Sequence, residues 1–199
     1  MILKRCFYIR PDVVTIAREL LGKHLLTQID GVVTGGIITE TEAYAGTEDK
    51  ASHAWNGRRT NRTEVMYGPG GTAYIYLCYG VHSLFNVVTN RKDIPHAVLV
   101  RAIQPVEGVA TILKRLGRAR YSDGITTGPG KVTKALGIHY SQTGADLTIR
   151  PENPGEPGIW IEDRKFDFSE YRLEVSPRIG VDYAGKDASL PYRFLLRIK

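Results

Sequence analysis

The sequence predicts a mixed α/β (α+β) fold, a single domain over residues 1–199 in which helices surround a curved, mostly antiparallel sheet with a protruding β-hairpin. Three observations support this prediction. One stretch near the start has apolar residues at helical spacing, short apolar runs elsewhere are separated by turn residues, and no repeat or linker divides the chain. The 199 residues are enough to bury a hydrophobic core without disulfides.

The first predicted elements are a helix and two strands. Apolar residues recur at helical spacing over residues 13–21, and Gly22 stands where a helix ends. Over residues 25–43 the apolar runs are broken by Asp30-Gly31 and Gly35-Gly36, which predicts a strand, a turn and a second strand.

The second strand carries a pair of carboxylates. Strand periodicity places Glu40, Glu42 and Tyr44 on one face. These carboxylates are either solvated on an edge strand, or buried next to Arg101, which closes the apolar run 97–101. A buried carboxylate beside an arginine can hold and deprotonate a water.

A long loop and a tyrosine-rich hairpin come next. Residues 46–71 are rich in Gly, Asn, Arg and Thr, which predicts an irregular and functional loop. Residues 72–77 alternate aromatic and aliphatic side chains, and Gly80 fits the first central position of a two-residue type II′ turn. Tyr79 then stands at the hairpin tip, where it either packs on the protein's own loop or serves as a wedge between DNA bases.

The second half of the chain supplies further elements. We predict a buried strand over 98–102, a helix over 107–116, a loop over 118–127 and a helix over 128–136. Three more apolar runs predict strands, at residues 159–161, 173–175 and 194–198.

The helix at residue 128 opens with Gly128-Pro129-Gly130-Lys131. It lacks the first glycine and the Ser or Thr of a Walker A motif, so the sequence does not support nucleotide hydrolysis. Free backbone N–H groups next to a lysine suit a single DNA phosphate at Gly130 and Lys131. The alternative is an ordinary capped helix with a surface lysine.

Composition limits the class of protein. The net charge is +6, from 27 basic and 21 acidic residues spread along the chain, which permits polyanion binding without proving it. No long apolar segment or secretory signal is recognisable, so we expect no membrane span and a cytoplasmic location. Cys6 and Cys78 have no paired spacing, so we expect reduced thiols and neither a metal nor another cofactor.

Several motifs in order resemble the alkyladenine (3-methyladenine) DNA glycosylases. They cover nearly the whole chain and occur at residues 40–44, 46–49, 53, 76–80, 86, 98–108, 128–131 and 178–180. The resemblance implies a monofunctional DNA glycosylase that flips alkylated or deaminated purines (3-methyladenine, 7-methylguanine, hypoxanthine) out of the duplex and leaves an abasic site. It also implies double-stranded DNA as partner, and we expect a monomer, associated with the nucleoid if the protein is bacterial.

The same resemblance implies roles for individual residues. Glu42 would activate a water, and Arg101 would position it. Tyr44, His53 and Tyr76 would enclose the damaged base, and Asn86 would test the exocyclic groups of the purine. Tyr79 would fill the gap that the flipped base leaves in the duplex. A plain two-residue hairpin would put Tyr76 and Asn86 on opposite faces, so we predict a bulge or irregular turn between residues 77 and 86.

Two other functions remain open. The first is a non-catalytic protein that binds distorted or damaged DNA, against which Glu42 argues, because a lone acid weakens phosphate binding. The second is a sugar hydrolase, which needs two carboxylates about 5 to 10 Å apart. Glu40 and Glu42 lie about 7 Å apart by strand rise, so their spacing permits this function.

Overall fold

A computed structural model describes residues 1–199 and contains one open sheet of eight strands. In chain order the strands are β1 (His24–Ile29), β2 (Val32–Tyr44), β3 (Ala73–Cys78), β4 (His82–Thr89), β5 (His96–Glu107), β6 (Gly158–Glu162), β7 (Tyr171–Ser176) and β8 (Arg193–Ile198). Their spatial order is β3-β4-β5-β2-β1-β6, and β8 pairs with both β2 and β7. Every pairing is antiparallel, which confirms the predicted fold class.

Four α-helices and several 3-10 turns accompany the sheet. The helices are α1 (Arg5–Tyr8), α2 (Val13–Glu19), α3 (Val109–Leu116) and α4 (Pro129–Leu136). The 3-10 segments are Gly46–Glu48, Trp55–Gly57, Glu64–Tyr67, Tyr140–Gln142 and Asp182–Ser189. None of the helices is long and apolar enough to cross a membrane.

The helix predicted over residues 13–21 corresponds to α2, and the later strands lie where the sequence predicts them, whereas α1 was not predicted. The Asp12 carboxylate caps α2 by accepting hydrogen bonds from the backbone N–H groups of Val14 and Thr15, at 2.9 and 3.1 Å. The predicted strands at 159–161, 173–175 and 194–198 lie within β6, β7 and β8.

The two faces of the sheet are covered differently. One face packs on α2 and α4 and forms the main hydrophobic core, which includes Phe85, Val98 and Val100. The loop 46–71 covers the opposite face. Its buried Met66 and Tyr67 form a second, smaller hydrophobic cluster with residues of the sheet. The site residues lie between the sheet and this loop.

Two predicted boundaries are wrong. The helix predicted over 107–116 begins at Val109, because Glu107 still pairs in β5 and Gly108 turns the chain at φ +61°. The pair Gly35-Gly36, which was predicted to interrupt the apolar run, lies within β2. A Cβ on Gly36 would approach the carbonyl oxygen of Gln104 to 2.7 Å. Glycine is needed here for the close approach of two strands.

The predicted type II′ turn at the hairpin tip is also wrong. Tyr79 and Gly80 both have positive φ, +50° and +70°, and the Val81 N–H donates to the Cys78 carbonyl at 3.1 Å. Cys78 pairs with His82, so three residues connect the strands. This changes the register by one residue, and the prediction of an irregular turn is confirmed.

A β-bulge lies in the middle of the sheet. In the β2–β5 ladder, Glu40 pairs with Ala102 and Thr41 pairs with Val100, so Arg101 is an extra residue in β5. A bulge of this kind changes the direction of a side chain, and here it brings the Arg101 guanidinium to the carboxylates of β2.

Candidate active site

The sheet register brings distant residues into one row. Tyr74 on β3 pairs with Asn86 on β4, which pairs with Leu99 on β5; Leu99 pairs with Glu42 on β2, and Glu42 with Arg193 on β8. Paired residues point to the same face of an antiparallel sheet. The row therefore crosses five strands on the face beneath the loop.

A cavity of about 210 Å³ opens above this row. Six of the residues predicted to form the site line it, namely Tyr44, His53, Tyr76, Tyr79, Asn86 and Arg101. Its volume is below the range typical of drug-sized ligands, and most of its wall is apolar. The cavity is therefore suited to one flat ring system.

Glu42 lies behind the cavity wall. Its side chain has no exposed surface, which excludes the solvated edge-strand alternative. The Ile179 N–H donates to Oε1 at 2.8 Å, and the Tyr44 hydroxyl donates to Oε2 at 2.9 Å. Arg101 lies with Nε 3.3 Å from Oε1 and Nη1 3.5 Å from Oε2.

Burial raises the pKa of Glu42 above its ordinary value, and this effect outweighs the opposing influence of Arg101, the Ile179 N–H and the Tyr44 hydroxyl. Burial also raises the pKa of Tyr44, and the adjacent Glu42 carboxylate adds to the rise. Tyr44 thus remains a hydrogen-bond donor, and ionised Glu42 is a stronger base than an exposed glutamate.

The second carboxylate, Glu40, is held by two arginines. Its Oε1 accepts from Arg193 Nε at 2.6 Å and from Arg101 Nε at 3.1 Å. Two carboxylates and two guanidinium groups thus neutralise one another beneath the cavity. Because Glu40 is engaged in these ion pairs, it is a poor candidate for the second acid of a sugar hydrolase.

A buried ion pair supports the backbone around Glu42. Both terminal nitrogens of Arg178 donate to the carboxylate of Asp49, and Arg178 Nη1 also donates to the Ala43 carbonyl at 2.8 Å. The guanidinium carbon lies 4.8 Å from the centre of the Tyr44 ring. This pair fixes the chain on both sides of Glu42, since Ile179 follows Arg178 directly.

The aromatic side chains of the cavity contact one another. The His53 ring meets Tyr76 edge to face, with centroids 4.6 Å apart, and Nδ1 of His53 lies 2.8 Å from the Tyr74 hydroxyl. Burial and the nearby Arg62 and Arg58 lower the pKa of His53 to about 4, so this imidazole is neutral near pH 7.

Asn86 presents a fixed amide to the cavity. Its Nδ2 donates to the backbone carbonyls of Tyr74 and Leu84, at 3.1 and 3.3 Å. These two bonds use both amide hydrogens and leave Oδ1 as the free polar atom. The corrected hairpin register places Asn86 and Tyr76 on the same face.

The remaining predicted features are the exposed Tyr79 and the start of α4 with Gly130 and Lys131. Tyr79 is 95% exposed, so the alternative in which it packs on the long loop is wrong. Gly130 and Lys131 lie at the start of α4, where the His82 ring packs against Gly130 and three cations, Arg118, Lys131 and Lys134, surround the helix end. Pro129 lines both this depression and the cavity, so the two are adjacent.

Sequence reasoning missed the arrangement of several residues. The Asp49–Arg178 pair joins positions 129 residues apart, and no local pattern relates them. Glu40 and Arg193, which also pair, are 153 residues apart.

An enzyme that acts on a base within a duplex must hold that base outside the stack, and DNA glycosylases do so to hydrolyse the N-glycosyl bond. The cavity admits one ring system, a buried carboxylate lies behind it, and an exposed tyrosine projects beside it. These features are the ones that a DNA glycosylase requires.

The chain belongs to the methylpurine-DNA glycosylase family, whose sequence profile matches residues 6–199. It is 48% identical over 198 residues to a Chlamydia abortus protein, covering 99% of both chains. It is 46% identical over 198 residues to a Chlamydia felis protein, covering 99% of this chain and 97% of the other. A Bacillus cereus relative is 41% identical over 189 residues, covering 92% of this chain and 90% of its own length.

All three relatives carry the name "putative 3-methyladenine DNA glycosylase". The family assignment makes the chain a hydrolase of N-glycosyl bonds in the repair of alkylated DNA bases. The alternative of a purely binding protein therefore loses its support.

Proposed function

We propose that this protein is a monofunctional glycosylase that flips alkylated or deaminated purines out of double-stranded DNA and leaves an abasic site. The observation that carries the proposal is the fully buried Glu42 carboxylate behind a cavity sized for one base. All site residues come from one chain, so a monomer suffices. Because the relatives are bacterial proteins, we place the activity on nucleoid DNA in the cytoplasm.

Glu42 activates the attacking water. The contact from Arg101 Nη1 to Glu42 Oε2, at 3.5 Å, is the longest around the carboxylate. A water can replace this weak contact and still be held by Arg101. While it is ionised, the Glu42 carboxylate stabilises the positive charge that develops on the sugar as the glycosidic bond breaks. It then takes the proton of the water as the water oxygen bonds to the sugar carbon, and becomes neutral.

The flipped base enters the cavity and stacks on its aromatic wall. Tyr44, His53 and Tyr76 supply rings whose electron-rich faces favour a cationic alkylated purine. The amide of Asn86 cannot rotate without losing two backbone hydrogen bonds, so it tests the exocyclic groups at the edge of the base.

Contacts outside the cavity hold the duplex. Tyr79 fills the space that the flipped base vacates. The Gly130 N–H at the start of α4 and the Lys131 side chain bind a DNA phosphate, since Pro129 has no N–H and the N–H groups of Lys131 and Val132 donate to the Gly128 carbonyl. Hydrolysis by this mechanism uses only water and these side chains, and we propose no metal or organic cofactor.

The proposed function is tested with duplexes that contain 7-methylguanine or hypoxanthine. We expect release of the free base, with the strand intact until alkali is added, because no lysine lies among the residues that line the cavity. Damaged-duplex binding without any release would contradict the catalytic proposal. Strand breakage without alkali would contradict the proposal that the enzyme is monofunctional.

Replacement of Tyr79 tests the wedge. We expect Tyr79→Ala to weaken binding of a damaged duplex about tenfold, since the unstacked site is left unfilled, while the melting temperature stays unchanged because the side chain is 95% exposed. Affinity is measured by fluorescence anisotropy. Tyr79→Phe is the matched control and keeps the ring; an equal loss in both variants would argue against a wedge.

A further inference from the structure

The hydroxyl of Tyr74 is a polar group in the cavity that the mechanism above does not use. Tyr74 lines the cavity, is 2% exposed and lies in the row of residues that contains Glu42 and Asn86. The hydroxyl lies 2.8 Å from Nδ1 of His53, and Arg62 is close enough to act on it directly as a further donor. The direction of the hydrogen bond to His53 decides whether the hydroxyl proton remains free.

Arg62 determines this direction. Nη2 of Arg62 lies 3.3 Å from Nε2 of His53, and an arginine can only donate hydrogen bonds. Nε2 must therefore carry the lone pair, so in the neutral imidazole the proton resides on Nδ1. Nδ1–H then donates to the Tyr74 oxygen, and the Tyr74 O–H has no acceptor within the protein.

We propose that the Tyr74 hydroxyl donates a hydrogen bond to the departing base, and that Arg62, acting through His53, holds it in this donor state. The inference rests on the proposed function and names a specificity-determining residue within it. A neutral purine leaves with negative charge developing on its ring, whereas a purine that is methylated at N7 is cationic and leaves neutral. A donor aimed at the base therefore accelerates release of a neutral purine far more.

The surroundings of Tyr74 agree with a permanent donor. Burial raises the pKa of the Tyr74 hydroxyl and outweighs the lowering effect of the nearby Arg62, so the hydroxyl keeps its proton at physiological pH. Arg62 is exposed on the long loop, and its guanidinium carbon lies 4.9 Å from the centre of the Tyr76 ring. It is held outside the cavity, since it lines the neighbouring surface depression instead.

The test compares single-turnover release of hypoxanthine and of 7-methylguanine from otherwise identical duplexes. Tyr74→Phe removes only the hydroxyl, and we expect release of hypoxanthine to fall about 100-fold while release of 7-methylguanine changes less than about threefold. Tyr183→Phe is the matched control, since Tyr183 lines the same cavity but its hydroxyl donates to the Ala51 carbonyl. The ratio of hypoxanthine release to 7-methylguanine release by Tyr183→Phe should equal that of the wild type.

A second variant tests the influence of Arg62 on the hydrogen bond between His53 and Tyr74. In Arg62→Met, His53 can move its proton to Nε2 and accept from Tyr74, so we expect a selective loss of hypoxanthine release of about tenfold. The shift of tautomer is read from the ¹⁵N resonances of the imidazole. Arg58→Met is the control, because Arg58 is also exposed on the loop but makes no side-chain hydrogen bond to His53.

The outcomes separate this inference from the proposed function. If the wild type releases 7-methylguanine but no hypoxanthine, or if Tyr74→Phe slows both substrates equally, the inference is wrong and the glycosylase proposal stands. If the wild type releases neither base, the proposed function itself fails. Selective loss in Tyr74→Phe and Arg62→Met, with unchanged selectivity in both controls, supports the inference.

Discussion

Glu42→Gln is expected to reduce base release about 10³-fold or more, while binding of the damaged duplex is retained. Glutamine has the same shape, and its single carbonyl oxygen can still accept from the Ile179 N–H, which now bonds to Glu42 Oε1 at 2.8 Å. Its NH2 group takes the place of Oε2, so there it donates to the Tyr44 oxygen and no longer accepts from the hydroxyl. Glutamine cannot take a proton from water. Release is measured under single-turnover conditions, with affinity measured in parallel.

Glu48→Gln is the matched control, because Glu48 is exposed on the loop and the substitution changes the net charge equally. Its activity should equal that of the wild type. If the Glu42→Gln variant releases the nucleobase at more than a few per cent of the wild-type rate, Glu42 is not the general base. A variant that no longer binds damaged DNA would indicate a structural role instead.

The pH dependence of the wild type follows from the same residue. Burial raises the pKa of Glu42 above 4.5, and the base must be ionised to act. Release should therefore decline as the pH falls, with a midpoint above that of an exposed glutamate. This acidic limb should be absent from the residual activity of Glu42→Gln.

Arg178→Met is expected to lower the free energy of unfolding by about 3–5 kcal/mol, because it leaves the carboxylate of Asp49 buried without its partner. The Arg178 side chain has no exposed surface, and that of Asp49 has 1%. For a chain of this size the loss corresponds to a fall in Tm of about 10 °C. Urea unfolding and calorimetry measure both quantities.

Arg197→Met provides the comparison. Arg197 pairs with Glu174 at 3.1 Å, but the two side chains are 53% and 40% exposed, so solvent screens the interaction. The expected loss is at most about 1 kcal/mol. Equal losses in the two variants would contradict a special role for the buried pair. Arg178→Met is also expected to slow base release, since the Ile179 N–H that bonds to Glu42 follows directly in the chain.

Local patterns were sufficient for much of the fold. The apolar spacing over residues 13–21, with Asp12 before it, predicts α2, and α4 lies between Gly128 and Gly137 as expected. The alternation of tyrosine with aliphatic residues in β3 correctly gives it one aromatic face. Such features depend on the conformational preferences of neighbouring residues, which the sequence contains directly.

The sequence by itself determined which residue types the proposed chemistry uses: a carboxylate on an apolar strand, an aromatic strand and a tyrosine at a hairpin tip. The tertiary structure decided how they meet. A three-residue connection in place of a two-residue turn sets the register that puts Tyr76 and Asn86 on the same face of the sheet, and a bulge turns Arg101 towards Glu42. Register and burial depend on contacts between distant segments, and a shift of one residue reverses the face of every side chain in a strand.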